Sequence, residues 1–493
     1  MTDMEKYEES PSYDVSLDVS LFDTFPTLNF PDLKGRLAAA SKRDKHKIIV
    51  LDDDPTGVQT LHDVSVFTDW SESAIEEGFR EKQKLFYILT NSRSFSARKT
   101  KQVHQEIAER ILKVAQYLQK DFLIISRSDS TLRGHYPLET QTLRETLESH
   151  STKRVDGEIL CPYFKEGGRF TFGDVHYVRY GQKLVPAGQT EFAKDQTFGY
   201  HASNLRDYVE EKTQGAYKRE TVMSISIEEL RQGDVEGIAA RLCQVHDFGK
   251  VIVNAVTQDD VRVFVLALYE AMSRGKYFLF RTAAAFVKEM GAIEDRPLLT
   301  HAELFSEESS ATQQSGGVIV VGSHTDKTTA QLKALQGLQG LEFLELDSDL
   351  VLEPNLFSQE VDRILQKEEA IIRAGKTAVV YTKRKVLTLP DDTKESALAR
   401  SVKISDAVQS LVGRLSITPS YVIAKGGITS SDVATKALHV HKATVIGQIC
   451  PGVPVWRTGS ESKFPQIPYI IFPGNVGDTD TLRQAVLTLQ SET

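Results

Sequence analysis

Three adjacent aspartates, Asp52, Asp53 and Asp54, follow the largely apolar residues 46–51 and precede a Pro-Thr-Gly sequence. Such an apolar run predicts a buried strand, and open α/β sheets bind their ligands at the carboxyl ends of strands. Neighbouring carboxylates repel one another, so this group needs a metal ion, a basic partner or a substrate hydroxyl for compensation. We therefore expect these acids to act on a ligand. The alternative is a solvated acidic turn in which an aspartate caps a helix.

Two further strand ends carry polar side chains that suit a small acid. Asn91 and Arg93 close the second predicted strand, and the sequence RSDSTLRG of residues 127–134 closes the third. The planar guanidinium of arginine matches a carboxylate with two parallel hydrogen bonds, while Asp, Asn and Ser suit hydroxyl groups. The set predicts a small polar substrate with a carboxylate, to which Arg281, after residues 277–280, could add a donor. Each arginine could instead form only a structural ion pair.

The C-terminal part of the chain repeats one pattern three times, namely an apolar run, a glycine turn and a helix-start signal. The three stretches span residues 316–332, 421–438 and 469–486. Glycine lets backbone N–H groups approach a ligand closely, and a helix N-terminus presents unpaired N–H groups with a partial positive charge. Three such turns at one edge of a parallel sheet favour a phosphate or nucleotide site. Glycine used only for connectivity is the alternative.

Composition excludes several classes of protein. The 493 residues carry a net charge of −9 and three widely spaced cysteines. The odd number of cysteines favours a reducing compartment over a disulfide framework or a zinc site. No apolar run approaches the ~20 residues of a membrane span, and no basic block or secretion signal is recognisable. We expect a cytoplasmic protein that acts on small molecules, without nucleic acid or membrane partners. A homo-oligomer remains open.

Strands and helices alternate along most of the chain, which predicts parallel sheets flanked by helices. We expect an α/β fold with two domains, each with a mainly parallel sheet, and an active site in the interdomain cleft. The predicted segments are a mobile acidic arm (1–45), a substrate-binding domain (46–304), a polar linker (305–316) and a phosphate-binding domain (317–493).

Residues 161–200 lack a clear period and predict an ordered, loop-rich insert. Its residues 162–178 are rich in glycine, aromatic and charged side chains, and Lys165, Arg169 and His176 could face the site. For His176 a structural hydrogen bond is the expected role, with catalysis as the alternative.

The order of the motifs from about residue 46 to residue 484 resembles the four-carbon acid sugar kinase family. The resemblance rests on DDDPTG, SDSTLRG, GGRFTFGDVHYV, RTAAAFV, VVGSHTDKTTAQL, AKGGITSSD, GQICPGVPVW and PGNVGD. It implies an N-terminal domain that binds a sugar acid and a C-terminal domain that binds a nucleotide. The implied reaction is ATP-dependent phosphorylation of the terminal hydroxyl of an acid such as threonate, erythronate or an oxo-tetronate. The long insert with GDVHYV is similar to that of a longer subgroup.

Carried over by motif, the resemblance implies roles for individual residues. The substrate would be bound by Asp53, Thr56, Gly57, Asn91, Arg93, Asp129, Ser130, Arg133 and Arg281. ATP would be bound by Ser323, Gly426, Gly427, Ile428, Thr429, Gly474, Asn475 and Gly477. Mg²⁺ is expected to bridge phosphate oxygens, through ligands that the sequence does not identify. Asp54 and Asp478 are the candidates for the general base. Many family members have an acidic residue where this chain has Ile428.

Two other functions fit parts of the sequence. Asp52, Asp54 and Thr56 match a haloacid-dehalogenase-like phosphatase pattern, in which the first aspartate is the nucleophile and Lys425 and Asp478 supply later motifs. Lys425, however, lies more than 370 residues after Asp52, and a phosphatase leaves the glycine turns unexplained. A sugar-acid-binding protein without activity is the second alternative. The particular four-carbon acid and its stereochemistry stay open.

Overall fold

The computed structural model describes residues 15–305, 315–390, 392–474 and 476–490. The chain divides into two compact units, the first made of Met1–Asp53, Trp70–Phe86 and Phe95–Glu294 and the second of Asp54–Asp69, Tyr87–Ser94 and Asp295–Thr493. This division differs from the single boundary predicted at residues 305–316, because Asp54–Asp69, Tyr87–Ser94 and residues 295–304 belong to the second unit. Residues 306–314 of that predicted linker lie outside the described residues.

Strands and helices alternate as the sequence predicts. The strands are β1 (Leu17–Asp18), β2 (Lys47–Asp52), β3 (Val64–Phe67), β4 (Leu85–Leu89), β5 (Phe122–Arg127), β6 (Gly157–Cys161), β7 (Arg169–Phe172), β8 (Val175–Tyr180), β9 (Lys183–Pro186), β10 (Met223–Ile225), β11 (Gly249–Val253), β12 (Phe278–Thr282), β13 (Val318–Val321), β14 (Leu341–Leu346), β15 (Thr377–Thr382), β16 (Val422–Lys425), β17 (Lys442–Cys450), β18 (Val453–Thr458) and β19 (Pro468–Phe472). The helices are α1 (Leu33–Arg43), α2 (Glu72–Arg80), α3 (Ala97–Leu118), α4 (Leu138–His150), α5 (Leu205–Lys212), α6 (Ile227–Gln232), α7 (Val235–Cys243), α8 (Gln258–Ser273), α9 (Ala284–Met290), α10 (His301–Leu304), α11 (Asp326–Ala334), α12 (Pro354–Arg373), α13 (Lys394–Gly413), α14 (Gly427–Asp432) and α15 (Thr481–Gln490).

The first unit contains a parallel sheet in the order β10, β11, β6, β12, β5, β2. Every residue of β2 and β5 is buried, as expected for near-continuous apolar strands that are covered on both faces. In the strand register Asp52 lies beside Arg127, and Arg127 lies beside Thr282. The carboxyl ends of β2, β5 and β12 therefore place their polar residues side by side at one edge.

The insert predicted as loop-rich instead forms a small antiparallel sheet, in the order β1, β9, β8, β7. Gly173 and Asp174 have φ values of +56° and +65° and form the two-residue turn between β7 and β8. Positive φ at both positions is the geometry that joins tightly paired antiparallel strands. These strands are only four to six residues long, which is too short to show a clear hydrophobic period in the sequence.

The prediction of a mobile arm over residues 1–45 is wrong for the described residues 15–45. Here β1 pairs with β9, and the Phe22 ring lies 4.7 Å from the Phe170 ring. Helix α1 buries Leu33, Leu37 and Ala40 and packs against α8. The apolar face of α1 is only about two to three helical turns long, which is too short to show a clear period in the sequence. Residues 1–14 lie outside the described residues.

The second unit contains a mixed sheet in the order β3, β17, β18, β19, β16, β13, β15, β14. The pairs from β3 to β19 are antiparallel, and those from β19 to β14 are parallel. Val321, Lys425 and Phe472 lie side by side at the carboxyl ends of β13, β16 and β19. Helices α11, α14 and α15 follow these strands, so the three predicted strand–turn–helix stretches meet at one edge of this sheet.

None of the described helices combines the length and the apolar composition that crossing a bilayer requires. Cys161, Cys243 and Cys450 are free thiols, of which Cys161 and Cys450 are buried.

Candidate functional site

In the first unit, the crowded acids at the end of β2 have a basic partner. Arg127 Nη2 lies 2.6 Å from Asp52 Oδ1, and Arg127 Nη1 lies 3.7 Å from Asp53 Oδ1. Asp52 and Asp53 are only 1% and 2% exposed. A charge pair this deeply buried compensates two carboxylates that would otherwise be costly to keep ionised. The pair also leaves Asp52 poorly placed to attack a ligand.

Asp53 and Arg281 converge on the backbone of Gly134. A Cβ atom at position 134 would lie 3.3 Å from Arg281 Nη2 and 3.4 Å from Asp53 Oδ2. Gly134 has a φ of +116°, which side chains rarely adopt. The glycine of the SDSTLRG sequence therefore allows a carboxylate and a guanidinium to approach the same stretch of loop.

A pocket lies beside this convergence, entirely within the first unit. Its lining residues come from the ends of β5, β6 and β12 and from α5, and they are Ser128, Asp129, Leu132, Leu160, Pro162, Leu205, Tyr208, Arg281 and Thr282. Arg281 is 6% exposed, and neither its Nη1 nor Thr282 Oγ1 has a hydrogen-bond partner among the described residues. Buried donors without partners are costly unless a ligand or water satisfies them. We therefore regard Arg281 and Thr282 as the groups best placed to bind a polar ligand here.

Arg133, predicted to bind the substrate, is held by its own loop. Its Nε lies 2.7 Å from Asp129 Oδ2, and its guanidinium lies 5.1 Å from the centre of the Phe192 ring. The Thr131 hydroxyl donates to the same Asp129 oxygen. Asp129, Ser130 and Arg133 thus lie together on one loop, but the guanidinium already has a carboxylate partner.

His176 has the structural role that the sequence favoured. Its ring is fully buried, with Nε2 2.8 Å from the Ser130 carbonyl oxygen and Nδ1 2.9 Å from Thr171 Oγ1. Burial lowers the pKa of His176 to about 4, so the ring is neutral at physiological pH. Burial also lowers the pKa of Arg169, whose guanidinium lies over Phe192, whereas Lys165 is exposed.

In the second unit, Asp54 lies with residues that the sequence assigned to the substrate. Asp54 Oδ1 accepts a hydrogen bond from the Thr56 amide at 2.8 Å, and Asp54 Oδ2 forms an ion pair with Arg93 Nη2 at 2.9 Å. The Gly57 amide donates to the Asp54 carbonyl, and Asn91, two residues after β4, has a φ of +55°. A Cβ atom on Gly427 would lie 3.0 Å from Asp54 Oδ2. The Asp54–Arg93 pair is therefore next to a predicted nucleotide turn.

The glycine turns of the second unit meet around Ser323. A Cβ atom on Gly426, whose φ is +122°, would lie 3.2 Å from Ser323 Cβ, and one on Gly474 would lie 3.5 Å from Ser323 Oγ. A Cβ atom on Gly426 would also lie 3.3 Å from Thr429 Oγ1. Ser323, Gly426, Thr429 and Gly474 are thus brought together, as a shared phosphate site requires.

The remaining predicted residues of this unit have different surroundings. Ile428 is 69% exposed at the start of α14. A Cβ atom on Gly477 would overlap Thr481, and Asp478 Oδ1 accepts hydrogen bonds from the Asp480 amide at 3.0 Å and the Thr481 hydroxyl at 2.9 Å. These contacts show Asp478 organising the start of α15. Asn475 lies outside the described residues.

Two cations of this edge were not assigned to the ATP site from the sequence. Lys425 is fully buried, and its Nζ donates to the Pro473 carbonyl at 2.7 Å. Burial, with a smaller contribution from Lys327, lowers the pKa of Lys425 to about 7. Arg384 donates to the Ser323 carbonyl, and its Nη1 has no hydrogen-bond partner within the described part of the chain. Lys425 is the last residue of β16, and Arg384 lies two residues after β15. These positions at the carboxyl ends of parallel strands are the sequence signal that could have identified both residues.

Comparisons with known proteins agree with this two-part architecture. Residues 48–290 match the model of a "Sugar-binding N-terminal domain", and residues 318–482 match that of a "Nucleotide-binding C-terminal domain". A D-erythronate kinase of Heliobacterium modesticaldum is 24% identical over 337 residues, covering 64% of this chain and 66% of that protein.

Two solved structures have a similar fold. The Haemophilus influenzae protein HI1011 matches with a TM-score of 0.59 and 17% identity, over 90% of this chain and all of that one. A protein from Salmonella typhimurium LT2 matches with a TM-score of 0.64 and 16% identity, over 89% of this chain and 98% of that one. With both domains matched in order, the chain belongs to the four-carbon acid sugar kinase family.

Proposed function

We propose that this protein transfers the γ-phosphoryl group of ATP to a hydroxyl group of a four-carbon sugar acid. The observation that carries the proposal is the buried Arg281 guanidinium, whose Nη1 has no hydrogen-bond partner in the described residues. Arg281 is also one of the residues that line the pocket at the strand ends. The D-erythronate kinase relative supports the same class of substrate. Erythronate and threonate differ in stereochemistry, and the choice between such acids is not part of the proposal.

In the first unit, Arg281 would bind the carboxylate of the sugar acid. A guanidinium–carboxylate contact in a buried site is strong because both partners are charged and water is scarce. Asp53 and Asp129, near the same loop, would accept hydrogen bonds from the hydroxyl groups of the substrate. Arg133 would act mainly through Asp129, because its guanidinium is already paired with that carboxylate.

In the second unit, the turns around Ser323, Gly426 and Gly474 would bind the phosphates of ATP. The Gly426 amide itself donates to the Phe472 carbonyl at 2.9 Å, so other amides of these turns would supply the donors, and the positive φ of Gly426 excludes most side chains. Arg384 would add positive charge beside Ser323. Phosphoryl transfer asks the protein mainly for positioning and for stabilisation of the charge that moves toward the leaving diphosphate.

Mg²⁺ would enter as part of the nucleotide substrate. The described residues include no group of three His, Cys, Asp or Glu side chains that could hold a metal ion. Mg²⁺ in phosphoryl-transfer enzymes commonly uses one or two carboxylates together with phosphate oxygens and water. Asp54 is the residue of the second unit that could supply such a ligand beside the Gly427 turn, or could accept the hydroxyl proton. Asp478 is the weaker candidate, because its carboxylate is used at the start of α15.

The phosphatase alternative is less well supported. Its nucleophile would be Asp52, which is 1% exposed and ion-paired with Arg127 at 2.6 Å. Its lysine would be Lys425, whose Nζ donates to the Pro473 carbonyl. A nucleophile must reach the phosphorus atom of its substrate, and the buried, ion-paired Asp52 carboxylate does not meet this requirement. The Lys425 side chain is also fully buried.

The experiment is a coupled assay of ADP formation with MgATP and a panel of four-carbon sugar acids, including both erythronate and threonate stereoisomers. We expect ADP formation that depends on at least one acid, with a phosphomonoester of that acid detected by ³¹P NMR. Hydrolysis of p-nitrophenyl phosphate, measured in parallel, tests the phosphatase. ADP formation that is independent of every acid, or phosphatase activity alone, would contradict the proposal.

A further inference from the structure

Four successive backbone carbonyls of the SDSTLRG loop each accept a hydrogen bond from a different element of the first unit. The donor–acceptor distance is 2.8 Å in all four cases, and the pairs are His176 with Ser130, Tyr200 with Thr131, Tyr208 with Leu132, and Arg281 with Arg133. The donors belong to β8, the segment before α5, α5 and β12. We call these four side chains the carbonyl clamp.

The carbonyl clamp is buried, so water does not compete for its hydrogen bonds. His176, Tyr200 and Tyr208 are 0%, 3% and 1% exposed. Burial raises the pKa of Tyr208 to about 12 and also raises that of Tyr200, so both hydroxyls remain protonated donors. The Ser130 carbonyl can only accept, so the neutral His176 ring must carry its proton on Nε2.

The loop needs such support because its backbone is strained. Leu132 has a φ of +69°, a conformation that non-glycine residues rarely adopt. Leu132 packs in one buried cluster with Tyr200 and Tyr208. Strained conformations persist where the surroundings over-determine them, and such positions concentrate at ligand sites.

The clamp also determines which way the loop faces. In a trans peptide the N–H group points opposite to the preceding carbonyl, so clamping carbonyls 130–133 turns the amides of residues 131–134 away from the four donors. The same loop carries Asp129 and Arg133, and it borders Arg281 at Gly134. Small shifts of a loop that positions substrate can cost about 10²-fold in rate.

We propose that the insert, together with Tyr208 of α5, is a positioning device for the substrate loop, in which His176, Tyr200 and Tyr208 set the orientation of residues 129–134. The identity of the bound acid rests on the function proposed above, whereas the clamp itself does not. Arg281 would have two roles, since its Nη2 holds the loop and its guanidinium would bind the carboxylate of the acid. His176 and Tyr200 act through the loop, whereas Tyr208 holds the loop and also lines the pocket beside Arg281.

The test uses the full-length protein with Tyr200→Phe, Tyr208→Phe and the double variant. Phenylalanine keeps the ring and removes only the hydroxyl, so packing is largely preserved. The matched control is Tyr180→Phe, which removes a 2.6 Å hydrogen bond from β8 to Glu191, away from the loop. His176→Gln, which retains a donor, is compared with His176→Leu, which does not. Circular dichroism and melting temperature establish that each variant is folded.

The first measurement is hydrogen–deuterium exchange of peptides that contain residues 129–134, which needs no activity. We expect exchange about tenfold faster in each Tyr→Phe variant, because a looser loop opens more often. Exchange at wild-type rates in both variants would contradict the proposal that these hydroxyls hold the loop. If one variant fails to fold, the other tyrosine and the two His176 variants decide the outcome.

The second measurement is steady-state kinetics with the sugar acid and ATP varied separately. We expect KM for the acid to rise roughly fivefold to tenfold on loss of one hydroxyl, as for one neutral hydrogen bond, and KM for ATP to stay unchanged. His176→Gln should restore most of what His176→Leu loses. If the KM values for the acid and for ATP rose by the same factor, or if Tyr180→Phe raised KM for the acid as much, the hydrogen bonds would contribute only to general stability. If the wild type phosphorylates no acid, the proposed function is wrong. The exchange experiment still shows whether the clamp side chains hold the loop, because it needs no activity.

Discussion

The Asp54 carboxylate and the Arg93 guanidinium form a 2.9 Å ion pair within the unit that carries the glycine turns. The sequence assigned Asp54 to catalysis and Arg93 to the substrate, and the preceding residue, Asp53, belongs to the other unit. Two adjacent aspartates are therefore divided between the units. The pairing holds the Asp54 side chain beside Gly427, where a carboxylate could bind Mg²⁺ or accept a proton.

Asp54→Asn is expected to lower kcat by about 10²–10⁴-fold, the usual contribution of a general base. The melting temperature of the variant is the control for folding, because the amide still accepts the hydrogen bond from the Thr56 amide but loses the ion pair with Arg93. Raising the Mg²⁺ concentration distinguishes the two roles, since a lost metal ligand is partly restored by excess metal and a lost base is not. Asp478→Asn is the comparison. A larger loss of kcat in Asp478→Asn than in Asp54→Asn would make Asp478 the better candidate for the general base.

Arg281→Met is expected to weaken use of the sugar acid far more than ATP binding. A charged hydrogen bond contributes about 1.5–3 kcal/mol, so kcat/KM for the acid should fall roughly 10- to 100-fold or more. Arg133→Ala should also impair use of the acid, by a smaller factor, because its guanidinium pairs with Asp129. Calorimetric titration with ATP provides the control. An unchanged kcat/KM for the acid in Arg281→Met would remove Arg281 from the site.

Substitutions at the two glycines before α14 should weaken ATP binding for different reasons. Gly426→Ala forces a side chain into a backbone with φ of +122°. Gly427→Val, with no positive φ, instead brings its side chain against Asp54 Oδ2, which lies 3.0 Å from the Cβ position. ATP titration of the folded variants measures the effect, and Asp54→Ala should restore part of the affinity lost in Gly427→Val. Unchanged affinity in both glycine variants would leave the turn with a purely architectural role.

The sequence predicted the parts of the fold that depend on local pattern. Residues 97–118 have the 3.6-residue hydrophobic period of a helix, and α3 forms there with Val103, Ile107, Ile111 and Val114 buried. The apolar runs before the three glycine turns are parallel strands, and the turns meet around Ser323. The strands and helices follow from residues close together in the sequence. The meeting of the turns follows from parallel pairing of the strands, which the alternation of strands and helices predicts.

The sequence could not predict contacts that depend on distant packing. Tyr200 and Tyr208 hold carbonyls some 70 residues earlier in the chain, and their types alone do not distinguish them from other core tyrosines. Arg281 and Arg133 look alike in sequence, yet Asp129 pairs with only one of them. The assignment of Asp53 to the first unit and Asp54 to the second likewise depends on which strands pair. The hydrophobic period of a single segment does not contain this information.

Leu37→Ala tests the finding that the N-terminal region is folded. Leu37 is 2% exposed on α1, and truncating a buried leucine costs about 2–5 kcal/mol of unfolding free energy. Deletion of residues 1–40 should be at least as damaging, contrary to the expectation from an arm. Lys42→Ala, on the exposed side of the same helix, is the control. Thermal unfolding of the three variants checks this, and an unchanged melting temperature in Leu37→Ala would show that α1 contributes little.

Lys425 should make the stability of the protein depend on pH. Burial lowers the pKa of this lysine from 10.5 to about 7 in the folded state. Between these two pH values the unfolded chain binds a proton at this site that the folded protein does not bind. The free energy of unfolding therefore rises with pH across this window, and the site contributes no further change below or above it.

The measurement compares the wild type with Lys425→Met by thermal unfolding at pH 6.5, 8 and 9.5. The substitution removes the titrating amine but keeps an unbranched side chain of similar length in a buried position. The charged amine is costly to bury at pH 6.5, so the variant should gain most relative to the wild type there. As the pH rises the wild type should recover, because its neutral amine still donates to the Pro473 carbonyl. A difference in melting temperature that is the same at all three pH values would mean that the buried amine does not titrate in this range.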